Sequence, residues 1–225
     1  MTSVPQPSGK RAPAGTPRDQ LMARKFDFSR VRGLSEPALE LHRSLYETYV
    51  KETNALLEQL YAPPLGQDPS TAEQLQRDGL VRRYAFERNG MVLHELFFET
   101  LGGPGAPPSA SGVFMEAADT SFGGFDIWKR DVARLARTRG VGWVLTFQSP
   151  DDNRLFNVWV DDHARGLIAG LRPIVALDFW EHAYLFDFKP SERSKYVETL
   201  FGNLNWDVVE ARCRTSSQVA ALDTI

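Results

Sequence analysis

From Ser35 onward, apolar residues recur at helical spacing, with Leu39, His42, Tyr46, Tyr49, Val50, Leu56 and Leu60 on one face. Ser35-Glu36-Pro37 supplies an N-cap with proline in the first turn, and Ala62-Pro63-Pro64-Leu65-Gly66 stops the run. One long helix is predicted between them. A second begins near Ser70 and runs to Leu101, with a break expected at Asn89-Gly90, and Gly102-Gly103-Pro104-Gly105 closes it. After a proline- and serine-rich loop from Ala106 to Gly112, helical spacing returns weakly over Met115 to Ala118 and strongly from Phe125 to Ala136. Beyond Gly140 the period changes to that of strands. Trp143–Phe147 and Leu155–Val160 are β-rich runs joined by the turn formers Ser149 to Asn153, and Pro173–Asp178 is a third. A loop from Trp180 to Tyr184 then leads to helices around Ser191–Leu200 and Asp207–Arg214. Helices and strands are segregated along the chain, so the predicted fold class is α+β, a long-helix hairpin followed by a small three-stranded antiparallel sheet packed with helices.

The division that follows is a tail over 1–25, an N-terminal α-hairpin domain over 26–105 and a C-terminal α/β domain over 113–225. The tail carries Pro5, Pro7, Pro13 and Pro17 among Ser, Gly and Thr, with almost no large apolar residue before Leu21, and is expected to be disordered. It is basic but lacks the apolar core of a secretory signal, and its prolines oppose an import helix. A cytoplasmic protein is the expectation. A 225-residue chain that is 42% apolar with a net charge of -3 adds that neither nucleic acid nor membrane is an expected partner. No apolar run approaches the roughly 20 residues a membrane helix needs.

With one cysteine, any metal site must be built from histidine and carboxylate. The histidines are only four: His42, His94, His163 and His182. Asp178, at the end of a buried strand, and His182, four residues later in the following loop, can aim a carboxylate oxygen and an imidazole nitrogen at one ion. Alone, such a pair is more often an aspartate capping a turn beside a hydrogen-bonded histidine.

The surrounding run Asp178-Phe179-Trp180-Glu181-His182-Ala183-Tyr184 resembles the metal motif of the iron/manganese superoxide dismutase family. The resemblance extends through Asp187-Phe188-Lys189, Arg193, Tyr196 and Asn205-Trp206. It reaches back to Gly140-Val141-Gly142-Trp143, Ser121-Phe122-Gly123-Gly124-Phe125 and His94-Glu95-Leu96-Phe97-Phe98, so that it covers roughly residues 35 to 214. It implies one Fe or Mn ion per subunit, bound by a histidine of each long helix and by the Asp and His of the C-terminal motif. Carried over, His94, Asp178 and His182 match directly.

The fourth ligand is less direct. The family places it eight residues before an active-site tyrosine that aligns with Tyr49, and eight back from Tyr49 stands Leu41, with His42 one later. Seven residues at about 100° each bring His42 and Tyr49 within about 20° around the helix. That shared face favours His42 as ligand with one residue deleted; the other reading is that His42 flanks a site that has lost a ligand. Tyr46, one turn after His42, stands where the family commonly has a second histidine near the substrate channel.

By the same resemblance His163 falls where manganese-type members place a glutamine that hydrogen-bonds the metal-bound solvent. Iron-type members supply that glutamine from the second helix, at the position of Gly90, where a glycine leaves room for a side chain arriving from the sheet. Iron against manganese therefore stays open. Tyr49 and Tyr46 are implied to gate the channel and relay protons, and Trp143 and Trp180 to wall the cavity. A homodimer is implied, with Glu181 accepting from His182 of the partner subunit; the tyrosine that the family often pairs with a channel histidine is here Leu185. Lys189 and Arg193 are candidates for steering an anion. The implied activity is conversion of superoxide to dioxygen and hydrogen peroxide by redox cycling of the ion; the alternative is a structural or assembly component that keeps the fold without the activity.

Overall fold

A computed structural model describes residues 20–213, apart from 63–65, 67, 105 and 107. Two long helices open it, α1 (Glu36–Leu60) and α2 (Thr71–Glu99), packed against each other as a hairpin. The Ser35 side chain caps α1 by accepting from the Ala38 N–H at 3.3 Å, and Ser70 with Glu73 forms a reciprocal capping box on α2. The expected break at Asn89-Gly90 does not occur. Gly90 is buried in the middle of an unbroken helix, whose packing on α1 outweighs the local preference.

Two shorter helices follow, α3 (Val113–Phe122) and α4 (Phe125–Leu135). Gly123 ends α3 in the left-handed region at φ 80°, which turns the chain into α4. The sheet is β1 (Gly142–Gln148), β2 (Leu155–Asp161) and β3 (Arg172–Asp178), all antiparallel in the order β2-β1-β3. Every residue of the central strand is buried, flanked by β2 and β3 and met by helix side chains such as His94 against Trp143 and Trp128, which donates to Thr146. The register sets Trp143 beside Asp178 at the end of the sheet nearest the helical hairpin. Beyond β3, the expected loop contains a single helical turn, α5 (Glu181–Tyr184). Then come a 3-10 turn (Pro190–Glu192), α6 (Arg193–Asn203) and α7 (Trp206–Arg212).

Of the stretch 1–25 expected to be disordered, residues 1–19 lie outside the described residues. Residues 20–25 are held against α1: Leu21 exchanges two hydrogen bonds of 2.9 Å with the Asn54 side chain, and Arg24 donates its N–H to the Tyr46 hydroxyl at 2.8 Å. The next residues pack Phe26 and Phe28 against Phe98. Arg24 also pairs with Glu99, which Arg212 meets from the other side. Among the described residues no helix is long and apolar enough to cross a membrane.

Candidate metal centre

Four elements each deliver one side chain to a single point: His42 from α1, His94 from α2, Asp178 from the end of β3 and His182 from α5. Their candidate ligand atoms all lie within 4.8 Å of one another. Asp178 Oδ2 is the hub. His42 Nε2 stands 3.0 Å from it, His182 Nε2 3.4 Å and His94 Nε2 3.6 Å. The other carboxylate oxygen, Oδ1, accepts the Trp180 N–H at 2.8 Å, which fixes the plane of the group.

His94 is oriented by its own helix. Its Nδ1 lies 2.7 Å from the Gly90 carbonyl, which can only accept, so the proton sits on Nδ1 and the lone pair of Nε2 faces the cluster. That Nε2 and the Nε2 of His182 are buried without a hydrogen-bond partner. Two buried imidazole nitrogens without partners, converging on a carboxylate, form an arrangement that apolar packing penalises and a cation satisfies. Three nitrogens and one oxygen also form a donor set suited to iron or manganese.

The electrostatics favour the ligating forms. Burial holds the His94 imidazole well below its usual range, with the charge of His42 adding to the effect. Burial also lowers His42, against the pull of Asp178. Burial opposes ionisation of Asp178, but the imidazoles of His182 and His42 facing it hold its carboxyl well below the usual carboxylate range. Burial thus favours the neutral imidazole at His42 and His94, and the facing imidazoles favour the carboxylate at Asp178, the forms in which these groups bind a metal.

Around it stand the other residues singled out in the sequence. Trp143 donates its indole N–H to His163 Nδ1 at 3.0 Å, and Tyr49 Oη lies 2.8 Å from His163 Nε2. The Tyr49 ring tilts over His94 with 5.1 Å between centroids. Trp180 stacks on both His163, at 4.8 Å, and His182, at 5.8 Å. Tyr49, His163, Trp143 and Trp180 thus form one continuous aromatic wall.

Tyr46 is not part of that wall. Although only one turn from His42, its hydroxyl donates to Glu95 Oε1 at 3.0 Å and accepts the Arg24 N–H. Its ring packs against Phe26 and Phe98. In place of a channel group it is the peg on which the incoming N-terminal segment hangs. Tyr46→Phe is accordingly expected to cost about 1–2 kcal/mol of stability and to leave activity within about twofold, since a residue outside the wall forms no transition-state contact. Urea unfolding beside an activity assay checks it. Arg193 likewise is not a free surface cation, because its guanidinium packs over the rings of Phe179, Trp159 and Tyr184 at 4.9, 5.6 and 5.8 Å.

One wall residue is missing from the sequence reading. Phe86 lies 4.7 Å from His163 and 6.5 Å from Trp180, with the Arg83 guanidinium 5.2 Å above it. The signal was available: Phe86, Gly90 and His94 follow one another at four-residue steps and share a stripe of α2.

Seen against known proteins, residues 110–212 match the family described as iron/manganese superoxide dismutases, C-terminal domain. An iron superoxide dismutase of Cupriavidus metallidurans is 34% identical over 187 residues, which are 82% of this chain and 90% of the relative. The chain belongs to the iron/manganese superoxide dismutase family. A superoxide dismutase of Aeropyrum pernix named for both manganese and iron is 32% identical over 76% of this chain and 78% of its own. A manganese superoxide dismutase of Haloferax volcanii is 32% identical over 80% of this chain and 86% of its own. Family membership extends over both halves of the chain, and with them over both helices and both C-terminal residues that build the cluster. Within the family, the seven-residue step from His42 to Tyr49 is accommodated without distortion, because α1 is one uninterrupted α-helix. A step of eight would swing the tyrosine about 80° away unless an extra residue were taken up as a bulge.

Proposed function

We propose that the protein is a superoxide dismutase using one iron or manganese ion per subunit, held by His42, His94, Asp178 and His182. The observation that carries this reading is the convergence of those four donors from four separate elements, with two buried imidazole nitrogens left partnerless. Bound iron or manganese supplies one-electron redox chemistry, which zinc lacks. One superoxide is oxidised to dioxygen; a second, with the electron so released and two protons, is reduced to hydrogen peroxide.

The chain's own residues manage protons and access. An indole N–H only donates, so His163 Nδ1 accepts from Trp143 and the neutral ring carries its proton on Nε2. Burial, which brings His163 down to about 4, keeps the ring neutral in the physiological range. The Nε2–H then donates to Tyr49 Oη, leaving the Tyr49 O–H to be given to an anion in the site. Burial, with the charge of Asp178 adding to it, pushes that phenol above its usual range, so it enters as a proton donor and not as a phenolate. Trp143, Trp180 and Phe86 exclude water around it.

A homodimer through the Glu181/His182 region belongs to the same reading. It is supported by the exposure of Glu181 next to His182, with Leu185 and Phe186 exposed beside them. So do a cytoplasmic location and a division into an α-hairpin domain over 26–105 and a C-terminal domain over 113–225, each giving two residues to the cluster. A structural component that keeps the fold alone would have no use for four converging donors. Elemental analysis with an assay of the Fe- and Mn-loaded forms tests the function: superoxide removal by at least one form is expected, and a fully metallated protein inactive in both would defeat it.

A further inference from the structure

The geometry points to Gly90 as the residue that positions Tyr49: the bare backbone of α2 at Gly90 is the seat of the phenol ring and leaves no space there for a side chain. A Cβ on Gly90 would lie 2.7 Å from both Cδ1 and Cε1 of Tyr49 and 3.1 Å from Cγ. The ring is also held from other sides. It is bounded by His94 at 5.1 Å, His163 at 5.0 Å and Phe86 at 6.3 Å, and its hydroxyl is tied to His163 at 2.8 Å.

The space that the sequence suggests for a side chain from the sheet is therefore taken by Tyr49, and His163 meets the Tyr49 hydroxyl instead. The cause lies in α1. A seven-residue step from His42 on a regular helix lowers the tyrosine ring directly onto α2 one turn before His94. Gly90 thus acts on the site twice, through its carbonyl, which orients His94, and through its missing Cβ, which admits Tyr49. A glycine inside a helix is otherwise a liability, because it is less favourable there than alanine.

The inference rests on the proposed function only for the importance of Tyr49, and its first test needs no activity. The same helix holds an internal control in Gly79, which has nothing within 4 Å of an added Cβ. Urea unfolding of the full-length protein, with metal content recorded for each variant, should show Gly79→Ala raising the midpoint and Gly90→Ala lowering it. In a Tyr49→Ala background Gly90→Ala should raise it, a reversal of sign. Activity supplies the second test: Gly90→Ala should reduce kcat as Tyr49→Phe does, and the double variant Gly90→Ala/Tyr49→Phe should be no slower than the slower single one. The same sign in both backgrounds overturns the inference, as does a sign reversal with an unchanged kcat in Gly90→Ala. If Gly90→Ala alone fails to fold, folding of Gly90→Ala/Tyr49→Ala supports the seat, and failure of both overturns it. If even the wild type removes no superoxide, the dismutase reading falls while the urea cycle still decides whether Gly90 seats Tyr49.

Discussion

His42→Ala is expected to empty the metal centre, with metal content and superoxide removal both below about a tenth of wild type, whereas Leu41→Ala keeps both. Loss of a group that merely orients a ligand costs about 10- to 100-fold in metal affinity, and loss of the ligand itself costs more. The two neighbours could hardly differ more in setting. His42 is 3% exposed, its Nε2 is 3.0 Å from Asp178 Oδ2, and its ring is boxed by Phe97, Phe98, His94 and His182. Leu41 is 44% exposed and points away. Its truncation should change stability by no more than about 0.5–1 kcal/mol, as for other surface positions. Elemental analysis of both variants purified in parallel decides the matter. Full metal content in His42→Ala would remove His42 from the ligand set, and loss of metal in Leu41→Ala would show that the helix is rotated from the position described.

The elements themselves were legible because each carries its own local signal. Ser35-Glu36-Pro37 and Ser70 mark helix starts by capping chemistry, and the structure begins its helices at Glu36 and Thr71. The strand runs also lie within a residue or two of their observed bounds, since β-branched and aromatic residues flanked by turn formers leave little choice. What was not legible depends on neighbours distant in sequence. Asn89-Gly90 looks like a break until the ring of Tyr49, forty-one residues away, is seen to fill the glycine's empty side. Tyr46 looks like a channel residue by its spacing from His42, yet the N-terminal segment at Arg24 and the side chain of Glu95 claim its hydroxyl. Leu21 and Arg24 sit in a proline-rich, polar stretch whose composition gives no hint that Asn54 and Tyr46 will bind their backbone. The candidate ligands were found by resemblance and not by pattern, because two histidines on separate helices and a strand-end pair share no local signal. Their meeting is a property of the hairpin lying across the end of β3.

Replacing His163 separates its two duties. His163→Leu is expected to lower activity by about 10- to 100-fold, the usual effect of losing a hydrogen-bonding group just outside a metal site. It also strands the Trp143 indole N–H and the Tyr49 hydroxyl, at about 1–3 kcal/mol for each buried polar group left unpaired. His163→Gln should retain most of the activity, because an amide can reproduce both bonds, its oxygen accepting from Trp143 and its nitrogen donating to Tyr49. The two variants should part further with pH. Burial brings the His163 imidazole from 6.5 to about 4, so in acid the unfolded chain binds this proton before the folded one. The stability tied to neutral His163 is then complete above about pH 6.5 and is lost as the pH falls toward 4, at about 1.4 kcal/mol per unit. Glutamine has no such proton to take up. The stability of His163→Gln relative to wild type should therefore improve by about 3 kcal/mol between pH 6.5 and 4, read from urea unfolding at each pH with metal removed from both proteins. A difference that stays flat across that interval would mean that His163 is protonated in the folded protein. Its Nδ1 could then no longer accept from Trp143, and the direction of the hydrogen bond to Tyr49 would have to be assigned anew.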